Sequence, residues 1–331
     1  MKINHKRLLR WGAFVALATI GVSQPAVAQT YPDRPIRLIV SIAAGSVTDV
    51  IMRNAANDIG HRIGQQLIIE NKGGASGILG AQSCAQAAPD GYTFCVIYHS
   101  TMSYNPLLFD KLPYNPDTDL VPVARLFFLT EGLFASTPLG VKTVAELKSA
   151  AQAKPDALNF ATLGEGSFPD LFRQWLNTQW GTRMVGIAYK GGGPAAQALA
   201  ANEVQVTRFG IGNFQGALDS GRVRALAVSA SKRSSLLPNV PTFAEIGLNY
   251  PGQGWWGVAA PKGTPRAAID KMNAELVKTF NDAKFGEFLE KQFVVPAPTS
   301  PEEFAQFLKE DRRAAETLIA IAKTPKTEHK P

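Results

Sequence analysis

The sequence contains few of the residues and motifs on which catalytic and metal sites commonly depend. Its 331 residues include only two cysteines and four histidines. No histidine has metal-ligand spacing to another histidine or to a cysteine. The glycine patterns of dinucleotide and P-loop sites are missing, and so is the G-x-S-x-G elbow of hydrolases. These absences argue against an enzyme, and no cofactor or metal is predicted.

Long hydrophobic runs are also scarce, and the one near the N-terminus has a specific interpretation. Residues 1–28 combine a basic start, a short apolar stretch and the sequence "AVA" before Gln29. This pattern predicts a secretory signal that is cleaved after Ala28, and hence a periplasmic protein. An uncleaved anchor is the alternative, although the apolar stretch is shorter than the roughly 18 residues of a transmembrane helix.

Positive charge is modest once this segment is removed. The segment carries four basic and no acidic residues, so its loss lowers the formal net charge from +7 to +3. No run of Lys and Arg with interleaved aromatic residues remains, so nucleic acid is not an expected partner. A small positive excess suits a small anionic ligand.

The two cysteines, Cys84 and Cys95, lie in a predicted helix and in the strand that follows it. An exported protein meets an oxidising compartment, in which the two thiols can pair if the helix packs on that strand. Two buried free thiols are an equal alternative, because spacing alone does not set the Cα geometry.

Strand and helix patterns alternate along most of the chain. Apolar runs such as "IRLIVSI" and "GYTFCVIY" predict buried strands, and Val47, Ile51, Ala55 and Ile59 form a helical stripe. The βαβαβ order occurs first between residues 36 and 98 and again between residues 157 and 209. Two such blocks predict an α/β protein with two lobes, each built on a largely parallel sheet.

Two extended apolar segments, "LVPVARLFFLTEGLFAS" and "GWWGVAAPKGTP", suit strands that cross from one lobe to the other. Lobe 1 is therefore predicted to be discontinuous, with residues 29–130 and 258–323, and lobe 2 to comprise residues 131–257. Helices are predicted over residues 265–293 and 301–323. The tail, residues 324–331, has nothing to bury and is predicted to be disordered.

Three turns after lobe 1 strands are rich in glycine and hydroxyl groups: "AAGSVTD", "NKGGASG" and "YHSTMSYNP". Ligands of open α/β sheets bind at the carboxyl ends of the strands, where glycines and helix N-termini expose backbone N–H donors. The turns predict a cradle for a small anion such as a carboxylate. The candidate residues are Ser46, Val47, Thr48, Gly74, Ala75, Ser76, Gly77, His99 and Ser100.

Asp49, which follows Thr48, is predicted to have a structural role instead of binding the ligand. It is expected to lie in the first turn of a helix capped by Thr48, where an acidic side chain is favourable. A carboxylate at this position would repel an anionic ligand unless it is directed at backbone donors.

Lobe 2 repeats this arrangement at "ATLGEGSFPDLF" and "AYKGGGPA". Gly166 and Ser167 open a predicted helix, and Phe168 follows in a position to cover a ligand. Tyr189 either offers a hydroxyl at the next strand end or packs under the sheet. Arg208 closes the strand "VQVTRF", where it either binds a carboxylate bidentately or is a solvated side chain at the rim of the cleft.

These motifs, in this order, closely resemble the extracytoplasmic solute receptors of the tripartite tricarboxylate transporter family, the Bug receptors. The match runs from "YPDRPIRLIV" through "NKGGASGILGAQ" and "YKGGGPAAQALAANEV" to "APKGTP". The resemblance implies a type II periplasmic-binding-protein fold, in which two α/β lobes joined by a two-strand hinge close on a small organic anion. It also implies a carboxylate site in "AAGSVTD" and "GGASG", and delivery to the large and small membrane subunits of a permease.

The chain departs from the family pattern at several site positions. Ser41 and Ser46 stand where the family usually has Pro and Gly, and Asp170 stands where it often has His. Arg208 and Phe209 stand where family members commonly have an aromatic or aliphatic residue followed by Asp. An Arg-Phe pair in place of an acid favours a ligand with a second carboxylate and an aromatic body.

The resulting hypothesis is a monomeric periplasmic receptor for a dicarboxylate. Arg208, Ser167 and Tyr189 would meet the far carboxylate, and Phe168 and Phe209 would flank an aromatic ring of the terephthalate type. Aliphatic di- and tricarboxylates are alternatives within the class. A ligand sensor that docks on a signalling kinase and an exported hydrolase are the alternatives outside it.

Overall fold

The structure of the chain is a computed structural model that describes residues 31–250, 252–322 and 324–327. The predicted signal segment and its cleavage site after Ala28 lie outside the described residues. No helix in the described part of the chain has both the length and the apolar character needed to cross a membrane.

Strands and helices alternate over most of the described residues. The strands are β1 (Ile36–Val40), β2 (Leu67–Asn71), β3 (Thr93–Tyr98), β4 (Leu120–Leu129), β5 (Glu131–Ser136), β6 (Asn159–Thr162), β7 (Val185–Ala188), β8 (Val206–Gly210), β9 (Val223–Val228), β10 (Trp255–Pro261) and β11 (Val294–Pro296). The helices are α1 (Val47–Ile63), α2 (Ile78–Ala85), α3 (Asn105–Leu108), α4 (Val144–Ala153), α5 (Phe168–Trp180), α6 (Gly192–Ala200), α7 (Gln215–Asp219), α8 (Arg266–Phe280), α9 (Ala283–Lys291) and α10 (Pro301–Ala322).

The strands form two sheets, which are the cores of two α/β lobes. The six-stranded sheet of lobe 1 has the order β11-β4-β10-β3-β1-β2, and the five-stranded sheet of lobe 2 has the order β7-β6-β8-β5-β9. In each sheet three strands run parallel, β2-β1-β3 in the first and β7-β6-β8 in the second. The turns that follow these parallel strands carry the predicted site.

Local sequence explains why the first unit of lobe 1 forms as predicted. The strand β1 is apolar along its length and largely buried, as expected for a parallel strand covered on both faces. The next helix, α1, buries the stripe that includes Ile51, Ala55 and Ile59. It ends at Gly64, whose φ of 71° is the left-handed conformation that terminates many helices.

The chain passes between the lobes at two places. The strands β4 and β5 are separated only by Thr130 and belong to different sheets. The return passage, residues 229–254, connects β9 of lobe 2 to β10 of lobe 1. Trp255 and Trp256 already pair with β4, so lobe 1 resumes three residues before the predicted boundary at residue 258.

Three predictions about local structure are wrong. The helix predicted over residues 265–293 is two helices, because the Asp282 carboxylate accepts a hydrogen bond from Phe285 N–H at 3.0 Å and starts a new helix. The N-cap of α1 is Ser46, not Thr48. The disorder predicted for residues 324–331 is wrong at residues 324–327, where Thr327 N–H bonds to Leu108 C=O at 2.8 Å, and residues 328–331 lie outside the described residues.

Cys84 and Cys95 form a disulfide, with their Cα atoms 6.0 Å apart. The bond joins α2 to β3, because α2 packs on that strand. Of the two alternatives that the sequence leaves open, the structure has the paired one, which suits an oxidising compartment.

Candidate functional site

Two long helices begin in the same way on opposite sides of the cleft between the lobes. Residues 45–49, "GSVTD", open α1 in lobe 1, and residues 166–170, "GSFPD", open α5 in lobe 2. Gly45 has a φ of 77° and Gly166 a φ of 71°, a conformation that side chains rarely adopt. In both motifs the serine is the N-cap in an extended conformation, and its side chain does not cap the helix. Backbone donors at both helix starts are thus left for other acceptors.

Asp49 is the buried acid of the first motif, and it faces the backbone, away from the cleft. Its carboxylate accepts hydrogen bonds from Gly45 N–H at 2.9 Å, from Arg53 at 3.0 Å and from Asn71 at 2.8 Å. Burial raises the pKa of Asp49, but these bonds outweigh burial and leave the pKa below its usual value. Asp49 therefore has the structural role that the sequence favours.

Asp170, the departure from the family pattern, has the equivalent place in lobe 2. Its carboxylate accepts hydrogen bonds from Gly166 N–H at 3.1 Å, from Arg173 Nε at 2.9 Å and from Gln174 at 2.8 Å. Each lobe thus uses a buried aspartate to hold the glycine turn that precedes its helix.

The two lobes are in direct contact across the cleft. Ala43 N–H donates to Lys190 C=O at 2.9 Å, Val47 N–H donates to Asn213 Oδ1 at 2.8 Å, and Gly193 N–H donates to Ser46 Oγ at 3.4 Å. The contact made by Asn213 is the most informative one. Its amide oxygen occupies the N-terminus of α1, which is where an anion is stabilised by free N–H groups and by the helix dipole.

The turn Gly74–Gly77 also touches lobe 2. Ser76 N–H donates to Leu163 C=O at 3.0 Å, and Ser76 Oγ donates to Glu165 C=O at 3.0 Å. Ala75 and Ser76 both have positive φ, 46° and 53°, so this turn is held in a conformation that few side-chain-bearing residues adopt. The turn therefore meets lobe 2 through both its backbone and a hydroxyl.

A small cavity, the interlobe cavity, remains between these turns. Lobe 1 contributes Ser46, Val47, Thr48 and His99, among others, and lobe 2 contributes Glu131, Pro169, Gly192, Phe209 and Asn213. Its volume is about 40 Å³, whereas pockets for small organic ligands start at about 300 Å³. The interlobe cavity of this structure is therefore too small for a small organic ligand. A groove of about 960 Å³ beside α1 lies at the amino ends of β1 and β2, away from the strand ends that form the site.

The predicted site residues divide into two groups. Ser46, Val47, Thr48, His99 and Phe209 line the interlobe cavity. The others among the described residues do not line it: Gly74, Ala75, Ser76, Gly77, Ser100, Gly166, Ser167, Phe168, Tyr189 and Arg208.

Several residues of the second group have partners within their own turn. Ser167 Oγ donates to Gly164 C=O at 2.6 Å and accepts from Leu163 N–H at 3.2 Å, so it stabilises the glycine turn. Ser100 lies in a helical turn, Ser100–Tyr104, and its hydroxyl is 3.3 Å from His99 Nδ1. Tyr189 is half-buried at the end of β7.

His99 is a buried neutral imidazole within a group of aromatic rings. Its ring centre lies 4.8 Å from that of Phe168, 5.1 Å from that of Tyr98 and 5.6 Å from that of Tyr104. Burial, assisted by the nearby Arg208 cation, lowers the pKa of His99 to about 3. His99 therefore contributes hydrogen bonding and shape to the cavity but no positive charge at neutral pH.

Arg208 is fully buried and is paired within lobe 2. Its side chain is 1% exposed, and Nη2 lies 2.7 Å from Glu131 Oε2, whose side chain is 6% exposed. Nε and Nη1 of Arg208 have no hydrogen-bond partner within the described part of the chain. The solvated rim position that the sequence leaves open for Arg208 is wrong, because β8 carries it into the core of lobe 2.

Four aromatic rings surround the guanidinium. Its central carbon lies 4.5 Å from the ring centre of Phe168, 4.6 Å from Phe172, 4.9 Å from Tyr250 and 5.3 Å from Phe243. Aromatic faces attract a cation, more strongly when water is excluded. Phe168 therefore covers Arg208, while Phe209, the next residue after Arg208 on the strand, points to the opposite side and reaches the cavity.

Glu131 and Asn213 are among the cavity residues that the sequence does not predict. Glu131 is the first residue of β5, and nothing in its neighbourhood distinguishes it from a surface glutamate. Asn213 lies in the turn "GIGNFQG" after β8, at the same edge of the sheet as the other site turns. The rule that ligands bind at strand ends could have identified Asn213.

Within the described ranges, no group of three or more His, Cys, Asp and Glu side chains is arranged to hold a metal ion. The groups at the site are backbone N–H groups, hydroxyls, an amide and one ion pair. Such a set can bind and orient a small anion.

The sequence and the fold both match proteins of known class. The profile of the tripartite tricarboxylate transporter family receptors matches residues 51–323. Among solved structures, the periplasmic binding protein BugD is 29% identical with a TM-score of 0.85, and the match covers 90% of this chain and 100% of that chain.

Two further solved structures contain a bound ligand. MatC from Rhodopseudomonas palustris, solved with malate, is 32% identical with a TM-score of 0.81 over 87% of this chain and 100% of that chain. Rpa4515 from R. palustris, solved with adipate, is 28% identical with a TM-score of 0.84 over 88% of this chain and 98% of that chain. The matched profile describes transporter receptors, and BugD is a periplasmic binding protein. The chain belongs to the tripartite tricarboxylate transporter receptor family, as a Bug-type solute receptor.

Proposed function

We propose that the protein is a periplasmic receptor that captures a small organic dicarboxylate between its two lobes and delivers it to a membrane permease. The observation that carries this proposal is the N-terminus of α1 at the interlobe cavity, where Val47 N–H donates to an oxygen of lobe 2. A ligand carboxylate has the charge and the acceptors that this position favours. Malate and adipate, the ligands of two related receptors, are both dicarboxylates.

Ligand capture requires the lobes to open and close. In the closed form the Asn213 amide oxygen accepts the hydrogen bond of Val47 N–H, so a carboxylate must displace this oxygen. A carboxylate accepts a stronger hydrogen bond than a neutral amide does, which favours the exchange. The Gly74–Gly77 turn can offer its N–H groups in the same way once Ser76 N–H leaves Leu163 C=O. Closure over the ligand would then restore contact between the lobes and present a surface that the permease subunits recognise.

The body of the ligand is expected to contact Phe209. This ring lines the cavity, whereas Phe168 packs on the guanidinium of Arg208. Tyr98 and Trp256 of lobe 1 also line the cavity, and such aromatic walls suit either an aliphatic chain or the face of an aromatic ring. Terephthalate is therefore retained as the aromatic member of the class, with adipate and malate as aliphatic members.

Export to the periplasm follows from the same proposal. The basic and apolar segment in residues 1–28 is the expected signal, and the Cys84–Cys95 disulfide suits an oxidising compartment. The receptor is expected to act as a monomer, because opening and closing need no second copy.

A thermal-shift screen tests the ligand class. A ligand that binds only the folded state raises the melting temperature by mass action. Adipate, malate and terephthalate are expected to raise it, while the neutral diamide adipamide is not. A shift with adipamide or with a cationic solute, together with no shift for any carboxylate, would refute the proposal.

A matched pair of variants tests the position of the carboxylate. Val47 is the first residue of α1, and its neighbour Ser46 is extended, so Val47→Pro removes the N–H at a position where proline is tolerated. Val47→Ala is the control for the lost side-chain volume. A hydrogen bond to a charged group contributes about 1.5–3 kcal/mol, so Val47→Pro should bind the carboxylate at least about tenfold more weakly than Val47→Ala. Equal affinities would place the carboxylate elsewhere.

A further inference from the structure

The charged side chain that a ligand meets in lobe 2 is Glu131, not Arg208. Glu131 lines the interlobe cavity, and Arg208 is not among the described residues that line it. The guanidinium lies behind the carboxylate, 2.7 Å from it, and its remaining surroundings are the rings of Phe168, Phe172, Phe243 and Tyr250. The far end of a ligand therefore approaches an anion first.

The backbone of Glu131 is fixed in this position. Its N–H donates to Ser229 Oγ at 2.9 Å, and its C=O accepts from Ser229 N–H at 2.8 Å. Gly254 leaves the room that the carboxylate needs, because a Cβ there would lie 2.9 Å from Glu131 Oε1 and 3.6 Å from His99 Nε2. The carboxylate thus lies between Arg208 and the cavity.

Among the described residues around Glu131, Arg208 is the only cation at neutral pH. His99 is neutral because burial lowers its pKa to about 3. Tyr104 and Tyr250 interact electrostatically with Glu131, and burial raises the pKa of both phenols, so they stay uncharged. Because Arg208 is already matched by Glu131, no positive charge remains to balance a second carboxylate in the cavity.

We propose that Glu131 determines which group the receptor accepts at the far end of its ligand, by requiring a proton between its own carboxylate and that group. A hydroxyl group brings this proton with it. A second carboxylate must take one up from solvent, because two carboxylates in contact cannot both stay ionised. This inference rests on the proposed carboxylate-receptor function and adds that dicarboxylate binding is coupled to the uptake of one proton.

The expected pH dependence has a definite sign. Burial raises the pKa of Glu131 above its usual value, although Arg208 opposes the rise. A second carboxylate raises this pKa further in the complex. Affinity for a dicarboxylate therefore increases as the pH falls from the pKa of Glu131 in the complex to its pKa in the free protein. For one proton, the increase is at most about tenfold per pH unit. Affinity for the matching hydroxy acid stays level over the same range.

Isothermal titration calorimetry in two buffers of different ionisation enthalpy counts the protons taken up. The ligands are two matched pairs: adipate with 6-hydroxyhexanoate, and terephthalate with 4-(hydroxymethyl)benzoate. With the wild-type chain, a dicarboxylate is expected to take up as much as one proton, and its hydroxy partner none. Glu131→Gln is expected to abolish the uptake and to bind the dicarboxylate more tightly than the wild type at pH 8.

Glu287→Gln is the matched control, since Glu287 is an exposed glutamate on α9. It should behave as the wild type does. Dicarboxylate binding without proton uptake overturns this inference alone, and it would mean that the ligand displaces Glu131 from Arg208. Binding of none of the four ligands overturns the proposed function and this inference with it. If Glu131→Gln fails to fold, the proton count of the wild type still decides.

Discussion

Replacing Arg208 by Ala tests whether the ion pair in lobe 2 is as buried as the structure shows. The substitution leaves the buried Glu131, 5% exposed, without its cation. Removing one partner of a buried pair costs about 3–5 kcal/mol, mostly because the remaining charge is uncompensated. The loss of the contacts with four aromatic rings acts in the same direction. The free energy of unfolding, measured by urea denaturation, should fall by this amount.

Two comparisons make the result decisive. Arg183→Ala breaks an ion pair with Asp156 whose side chains are 71% and 61% exposed, and exposed pairs contribute little to stability. The double variant Glu131→Gln, Arg208→Met removes both charges and should recover much of the loss. The Arg208→Ala loss should also grow as the pH rises, since an unpaired buried carboxylate is tolerated only when protonated. A loss no larger than that of Arg183→Ala would refute the buried pair.

Three other perturbations test separate parts of the structure. Replacing both Cys84 and Cys95 by Ser should lower the free energy of unfolding by about 3 kcal/mol, because the loop closed by the disulfide is short, and should leave ligand affinity unchanged. A Cβ at Gly191 would lie 2.5 Å from Ser46 Oγ across the cleft, so Gly191→Ala should hinder closure at a cost of about 1–3 kcal/mol. Calorimetry should then show ligand binding that is weaker by about tenfold or more. Unchanged affinity would show that the lobes do not close this tightly. The pKa of Asp49 is lowered in the folded state. The Asp49 carboxylate therefore stabilises the fold above its unfolded pKa, and this stabilisation is lost as the pH falls through the folded pKa. In urea titrations, the stability advantage of the wild type over Asp49→Asn should shrink below about pH 4.

The sequence predicts the parts of this structure that depend on local patterns. The apolar strands, the stripe on α1 and the glycine turns follow from periodicity and turn chemistry, and they place Ser46, Val47 and Thr48 at the cavity. The sequence also predicts the structural role of Asp49, because an acid in the first turn of a helix has a ready set of backbone donors.

The parts that the sequence does not predict depend on long-range packing. Arg208 and Glu131 are 77 residues apart in the chain, and only the antiparallel pairing of β5 with β8 brings them together. An arginine at the end of an apolar strand has no local feature that separates an exposed position from a buried one. The contact of Asn213 with Val47 likewise depends on packing between residues that are 166 positions apart in the chain.

The most direct test of the account is a crystal structure of the protein with the dicarboxylate that gives the largest thermal shift. We expect one ligand carboxylate at the N-terminus of α1, within hydrogen-bond distance of Val47 N–H, in the place that Asn213 Oδ1 now occupies. We also expect the far end of the ligand beside Glu131. A ligand bound in the groove beside α1 and β2, or between the lobes with no carboxylate at this helix start, would contradict this expectation.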